Sequence, residues 1–72
     1  MNYVNARELF SKSTDSYEAV RQLKRYEKTG VKFIYVKNHI RIGLRNMMRI
    51  IVSKSQEGYS LSEIYNYLLN EY

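Results

Sequence analysis

No cysteine occurs in these 72 residues, and the only histidine is His39. Disulfides and thiolate metal sites are therefore excluded, and one imidazole without a cysteine makes no zinc centre. A chain this short supports one domain, taken as residues 1–72, with a modest core. Only the packing of amphipathic segments is left to hold it together. Eight tyrosines lift the apolar fraction to 44%, and a ring with a polar tip suits a half-wet core or an interface. No apolar run approaches the ~20 residues of a membrane span, and no signal-peptide pattern opens the chain. A cytoplasmic protein with no membrane attachment is expected.

Charge is segregated along the chain. Between Arg21 and Lys54 ten basic residues face the single acid Glu27, a block of +9 within a chain of net +5. Residues 1–20 carry three acids against two bases, and residues 55–72 carry three acids and no base. Such a block repels itself unless a polyanion offsets it. Turn and strand signals run through it, so it reads as a folded surface and not a basic tail. Double-stranded DNA is the partner this pattern favours.

Local signals divide the chain into helices around a short β region. Asn5 with Glu8 three residues on, and Val4 with Leu9, read as a capped and stapled helix start, giving a helix from Ala6 to about Ser11. Asp15 and Glu18 repeat the capping pattern. A second helix follows over residues 16–29, with Tyr17, Val20, Leu23 and Tyr26 as its buried stripe. Gly30 ends it, where a left-handed residue costs little. Residues 31–36 and 39–42 are rich in β-branched and aromatic side chains. Lys37-Asn38 can turn a hairpin between them, Asn tolerating positive φ, although one continuous strand also fits. Leu44, Met47, Met48 and Ile51 mark a third helix, with Arg45 and Arg49 on another face. Gln56-Glu57-Gly58 closes it. Ser60 and Glu63 form a capping box for a fourth helix over residues 60–72, lined by Leu61, Ile64, Tyr65, Leu68 and Tyr72. The expected class is mainly α with a small β-hairpin, an α+β fold in the order α-α-β-β-α-α.

Catalysis has little to work with. Glu8, Asp15, Glu18 and Glu63 are accounted for as caps, and no nucleophile–base pair, Gly-rich phosphate loop or metal spacing is present. No enzyme, no cofactor and no metal are expected. The DNA candidates fall into two groups. On the second helix Arg21, Lys24, Arg25 and Lys28 lie off the apolar stripe without alternating acids, and Gln22 offers an amide suited to adenine edges. Around the hairpin tip Lys37 and Arg41 suit phosphate or minor-groove contact, although Lys on an edge strand also guards against aggregation. His39 reads first as a partly exposed strand residue and second as a DNA contact. The Met47-Met48 pair reads as core filler.

The order of elements resembles a winged helix-turn-helix. Residues Ser16-Tyr17-Glu18-Ala19-Val20-Arg21-Gln22-Leu23 resemble the S-x-E-x-V-R opening of the recognition helix in phage excisionases, and Asn5-Ala6-Arg7 resembles their first helix. Ile40-Arg41-Ile42 followed by Leu44 and Met47-Met48 is similar to the wing strand and next helix of the wider excisionase and MerR-like group. The likeness covers residues 3–52, with a connection from Phe10 to Ser16 longer than the tight turn of a standard helix-turn-helix and the Gly common at the wing tip replaced by Lys37-Asn38. It implies that Glu18, Arg21, Gln22 and Arg25 enter the major groove and that Lys37, Asn38 and Arg41 touch backbone or minor groove. It further implies cooperative self-association on DNA, bending, and a phage or mobile-element integrase or other recombinase as partner. Control of transcription is the related role.

Two other readings fit parts of the sequence. Ile40-Arg41-Ile42, a helix, and Glu57-Gly58-Tyr59-Ser60-Leu61-Ser62-Glu63-Ile64 resemble a dimeric ribbon-helix-helix repressor, with Lys37, His39 and Arg41 alternating into the major groove. That reading leaves residues 1–30 unexplained. A small phage-type inhibitor of a host protein has room in the sequence but no positive sign. The acidic, Tyr-rich end completes the core on one reading. On the other it mediates self-association or docking through Tyr65, Tyr67 and Tyr72.

Overall fold

Helix caps set the frame. In the computed structural model, which describes residues 3–72, a short strand β1 (Tyr3–Asn5) runs straight into helix α1 (Ala6–Lys12). Met1 and Asn2, counted in the expected domain, lie outside the described residues. The Asn5 side chain accepts from the Glu8 N–H at 2.9 Å, so one donor of the first turn is satisfied within three residues. Glu8 in turn holds Lys12 at 2.9 Å, and that hydrogen bond and charge raise the lysine pKa above its ordinary value. Only Ser13-Thr14-Asp15 separate α1 from α2 (Ser16–Lys28), whose cap Asp15 accepts from Glu18 N–H at 2.9 Å. Helix α1 runs one residue past the expected end, so the connection to α2 is only three residues long. Gly30 takes the positive φ of +93° that stops α2.

The β region is a hairpin, not one strand. Strand β2 (Phe33–Tyr35) pairs antiparallel with β3 (Arg41–Gly43), Ile34 opposite Ile42. Residues 36–40 form the loop, closed by Val36 N–H donating to Ile40 C=O at 2.8 Å. The expected two-residue turn at Lys37-Asn38 is therefore absent. A five-residue loop needs no left-handed residue at its tip, and no described non-glycine residue has positive φ. The expected order also lacked β1, which pairs parallel with β2, Val4 opposite Ile34. The sheet order is β1-β2-β3, and Val4, Ile34 and Ile42 point the same way, toward the core.

Helices α3 (Leu44–Gln56) and α4 (Leu61–Glu71) close the structure. Ala6 and Leu9 of α1, Ala19 and Leu23 of α2, Ile34 of β2, Met47 and Ile51 of α3, and Ile64 and Leu68 of α4 meet in one cluster without solvent exposure. Met47 is core filler as expected. Met48 is only partly buried. The α2 stripe is shifted from the expected one: Ala19 and Leu23 are buried, Val20 and Tyr26 pack at the edge, and Tyr17 is 73% exposed. Arg21 lies 6.0 Å from the Tyr17 ring centroid on that outer side. Tyr65 of α4 stacks on Phe10 of α1 with centroids 5.1 Å apart. No buried side-chain nitrogen or oxygen among the described residues lacks a hydrogen bond. None of the helices is long and apolar enough to cross a membrane.

Candidate nucleic-acid interface

The burial pattern of α2 decides which side chains face out. With Ala19 and Leu23 turned inward, the 3.6-residue period puts Tyr17, Arg21, Lys24, Arg25 and Lys28 on the opposite side, and all five are exposed. Among the described residues, Glu18 is the carboxylate beside this face. It is half-buried, takes the Gln22 amide at 3.1 Å, and lies 3.7 Å from Arg21. Gln22 is also half-buried. The expected base-reading amide is thus tied to its neighbour one turn away, and Glu18 acts as its anchor within the helix. Contact between Gln22 and a base requires that bond to be exchanged.

Packing of α2 against α3 adds cations that the linear reading did not assign. Lys24 and Lys28 on α2, with Arg45 and Arg49 on α3, border a groove of ≈ 770 Å³ between the two helices. Glu27 meets Arg45 at 3.2 Å across it. That pair is exposed, so its attraction is screened and leaves the surroundings strongly positive. Lys24, Arg25, Lys28 and Arg49 enter no ion pair among the described residues. Arg45 and Arg49, four apart and off the apolar stripe, were the signal available in sequence. Only the tertiary packing shows that they join α2.

The hairpin residues occupy other surroundings. Lys37, Asn38 and His39 are exposed in the loop, and Ile40 is exposed beside them. Lys37 and Asn38 border a second hollow with Arg7 of α1 and Tyr65 of α4, so Arg7 is a further cation that the sequence did not single out. Arg41 lies with its guanidinium carbon 4.2 Å from the Phe33 ring centroid, a cation–π contact that fixes its direction on the outer side of the sheet. His39 is a loop residue, not the strand residue of either reading. The alternation of Lys37, His39 and Arg41 on one strand fails for the same reason, because the strand begins only at Arg41.

Not all of the basic block is available to a partner. Lys54 lies 4.3 Å from the Tyr67 ring centroid and 5.5 Å from that of Tyr59, with Glu57 at 3.8 Å. It ties α3 to α4 and belongs to the fold. Of the tyrosines expected to meet a partner, Tyr65 is half-buried against Phe10, whereas Tyr67 and Tyr72 are exposed. No group of three or more His, Cys, Asp or Glu among the described residues is placed to hold a metal ion. Neither protein-family models, nor curated proteins, nor solved structures give a match to this chain.

Proposed function

We propose that the chain binds double-stranded DNA as a winged helix-turn-helix protein, with α2 in the major groove and the β2–β3 hairpin as the wing. The observation that carries the reading is the outer face of α2. Arg21, Lys24, Arg25 and Lys28 are exposed there, among the described residues only Arg21 of these has a carboxylate nearby, and Arg49 of α3 adds a cation with no ion pair among them. Their mutual repulsion is offset when phosphates replace the counterions around them. The three-residue link between α1 and α2, Gly30 after α2, and the hairpin that follows support the winged arrangement.

Arg21 and Arg25, one turn apart, are the pair best suited to base edges, because guanidinium groups meet guanine in bidentate fashion. Lys24 and Lys28 supply phosphate contacts, and Lys37 with Arg41 supplies them from the wing. Few base contacts from so small a protein make weak binding by one copy, so the role we infer is architectural. Several copies bind adjacent sites, bend the DNA and bias a recombinase toward excision, or regulate a nearby promoter.

The test is DNA affinity against salt for the wild type, Arg21→Glu/Arg25→Glu and Lys37→Glu/Arg41→Glu. The wild-type affinity is expected to fall steeply as salt rises. The helix pair is expected to lose sequence preference together with affinity, and the wing pair to lose affinity nearly uniformly across sequences. Wild-type protein that shows no salt-sensitive binding to duplex DNA defeats the proposal.

A further inference from the structure

The groove between α2 and α3 has a floor that phosphate binding does not use. Val20, Met48 and Val52 lie along it, between Lys24 and Lys28 on one side and Arg45 and Arg49 on the other. Val52 is 43% exposed, an aliphatic side chain left in water. Met48 and Val52 are one turn apart on α3 and Val20 faces them from α2, so the apolar strip follows helical spacing. Phosphates gain nothing from such a strip. A third helix laid between the two gains from all of it, with its own apolar residues at i, i+3 and i+4 meeting the floor. Met48 is unbranched and adapts to the side chain it meets. The border of the groove sets the sign of the partner: four cations stand around it and Glu27 neutralises one of them.

We propose that this groove binds an acidic amphipathic helix of a partner protein, its apolar stripe on Val20, Met48 and Val52 and its carboxylates on Lys24, Lys28 and Arg49. The fitting length is about three turns, roughly 11 residues at 1.5 Å each, which spans α3 from Arg45 to Gln56. Charge complementarity selects acidic partners and speeds encounter, and the apolar floor separates this site from a general polyanion surface. The inference does not rest on the DNA reading: it shares Lys24, Lys28 and Arg49 with that surface but depends on the apolar floor of Val20, Met48 and Val52 and not on Arg21 and Arg25.

The experiment is fluorescence anisotropy without DNA, using a labelled peptide of Glu and Leu with the leucines at i, i+3, i+4 and i+7. A peptide of identical composition with the leucines scattered is the control. The ordered peptide is expected to bind at least about tenfold more tightly than the scattered one. Val52→Asp is expected to remove that preference, and Val52→Leu to retain it. Arg49→Glu is expected to weaken the ordered peptide by about tenfold. Because Val52 is exposed, both variants at that position should keep the wild-type circular dichroism and melting, and DNA binding should survive Val52→Asp. Arg21→Glu/Arg25→Glu should spare the peptide, so failure of one proposal is distinguishable from failure of the other. Equal binding of the two peptides overturns the inference, leaving non-specific charge attraction. Sedimentation showing self-association that Val52→Asp abolishes also overturns it, by giving the groove to a second copy of this chain.

Discussion

Helices α2 and α4 are built by the same local rules and present opposite surfaces. Each begins with a side-chain oxygen that accepts from the N–H three residues on, Asp15 for α2 and Ser60 for α4. Each buries two aliphatic or alanine side chains without exposure, Ala19 and Leu23 in one, Ile64 and Leu68 in the other. Their outer faces differ. On α4, Tyr67 packs against Lys54 and Glu63 closes its own cap, so these two outer side chains are engaged by the protein itself. On α2, Lys24, Arg25 and Lys28 project into solvent without an ionic partner among the described residues. Contacts within the protein thus engage part of the outer face of α4, whereas these three cations of α2 have no ionic partner among the described residues.

The largest expected effects lie where the two helices are alike. Leu23→Ala and Leu68→Ala each remove a fully buried side chain, and each is expected to destabilise the protein by about 3 kcal/mol through lost burial and an incompletely refilled cavity. Chain length limits the stability available to a few kcal/mol, so either variant should be largely unfolded in mild denaturant. Urea unfolding measures both. A small effect of one alongside a large effect of the other breaks the symmetry of the comparison and puts that helix outside the cooperative core.

The features shared by the two helices are those that sequence made legible. A cap is an interaction over three residues, so Asn5, Asp15 and Ser60 could be identified without tertiary information. The stop at Gly30 follows from one residue's freedom at positive φ. Features that depend on distant partners were harder to place. Strand β1 has only three residues, and its partner Phe33–Tyr35 lies thirty positions away, too short and remote a pairing to leave an alternating pattern. Spacing alone puts Tyr17 in the α2 stripe, because Tyr17, Val20 and Leu23 share a spacing of three, and so do Val20, Leu23 and Tyr26. The positions of α1 and α3 choose between these registers. The cationic groove is tertiary in the same sense: Lys24 and Lys28 meet Arg45 and Arg49 only because α2 packs on α3.

The caps sharpen the comparison on a smaller scale. Asp15→Ala and Ser60→Ala are each expected to cost about 1 kcal/mol. The α4 cap is reciprocal: Ser60 N–H donates to Glu63 at 2.8 Å while Glu63 N–H donates to the Ser60 hydroxyl at 3.3 Å. The Ser60 backbone and then its hydroxyl hold the Glu63 carboxyl below the usual carboxylate range. A carboxyl lowered on folding contributes stability that is present above its unfolded pKa. That stability is lost as pH falls through the folded value. Glu63→Gln should therefore flatten the acid side of the stability profile, while Ser60→Ala and Glu63→Gln together should cost less than the sum of the two. Glu18 is engaged with Gln22 and Arg21 instead, so Asp15→Ala and Glu18→Gln should be additive. Urea titrations between pH 3 and pH 7 (roughly the carboxylate range and above it) check both pairs.

The smallest effect on stability is expected at Tyr17, the residue that divides the two faces of α2. Its spacing matches the buried stripe, yet it is 73% exposed and touches the Arg21 side of the helix. Tyr17→Ala should change unfolding free energy by no more than about 0.5 kcal/mol, as for other surface positions without a specific partner. A cation–π contact at 6.0 Å in solvent adds little to that. A loss of 2 kcal/mol or more (on the order of a buried aromatic) would return Tyr17 to the core and rotate the outward face of α2 away from Arg21 and Lys28. Near-neutral stability keeps the tyrosine with the cations, on the outer surface of α2.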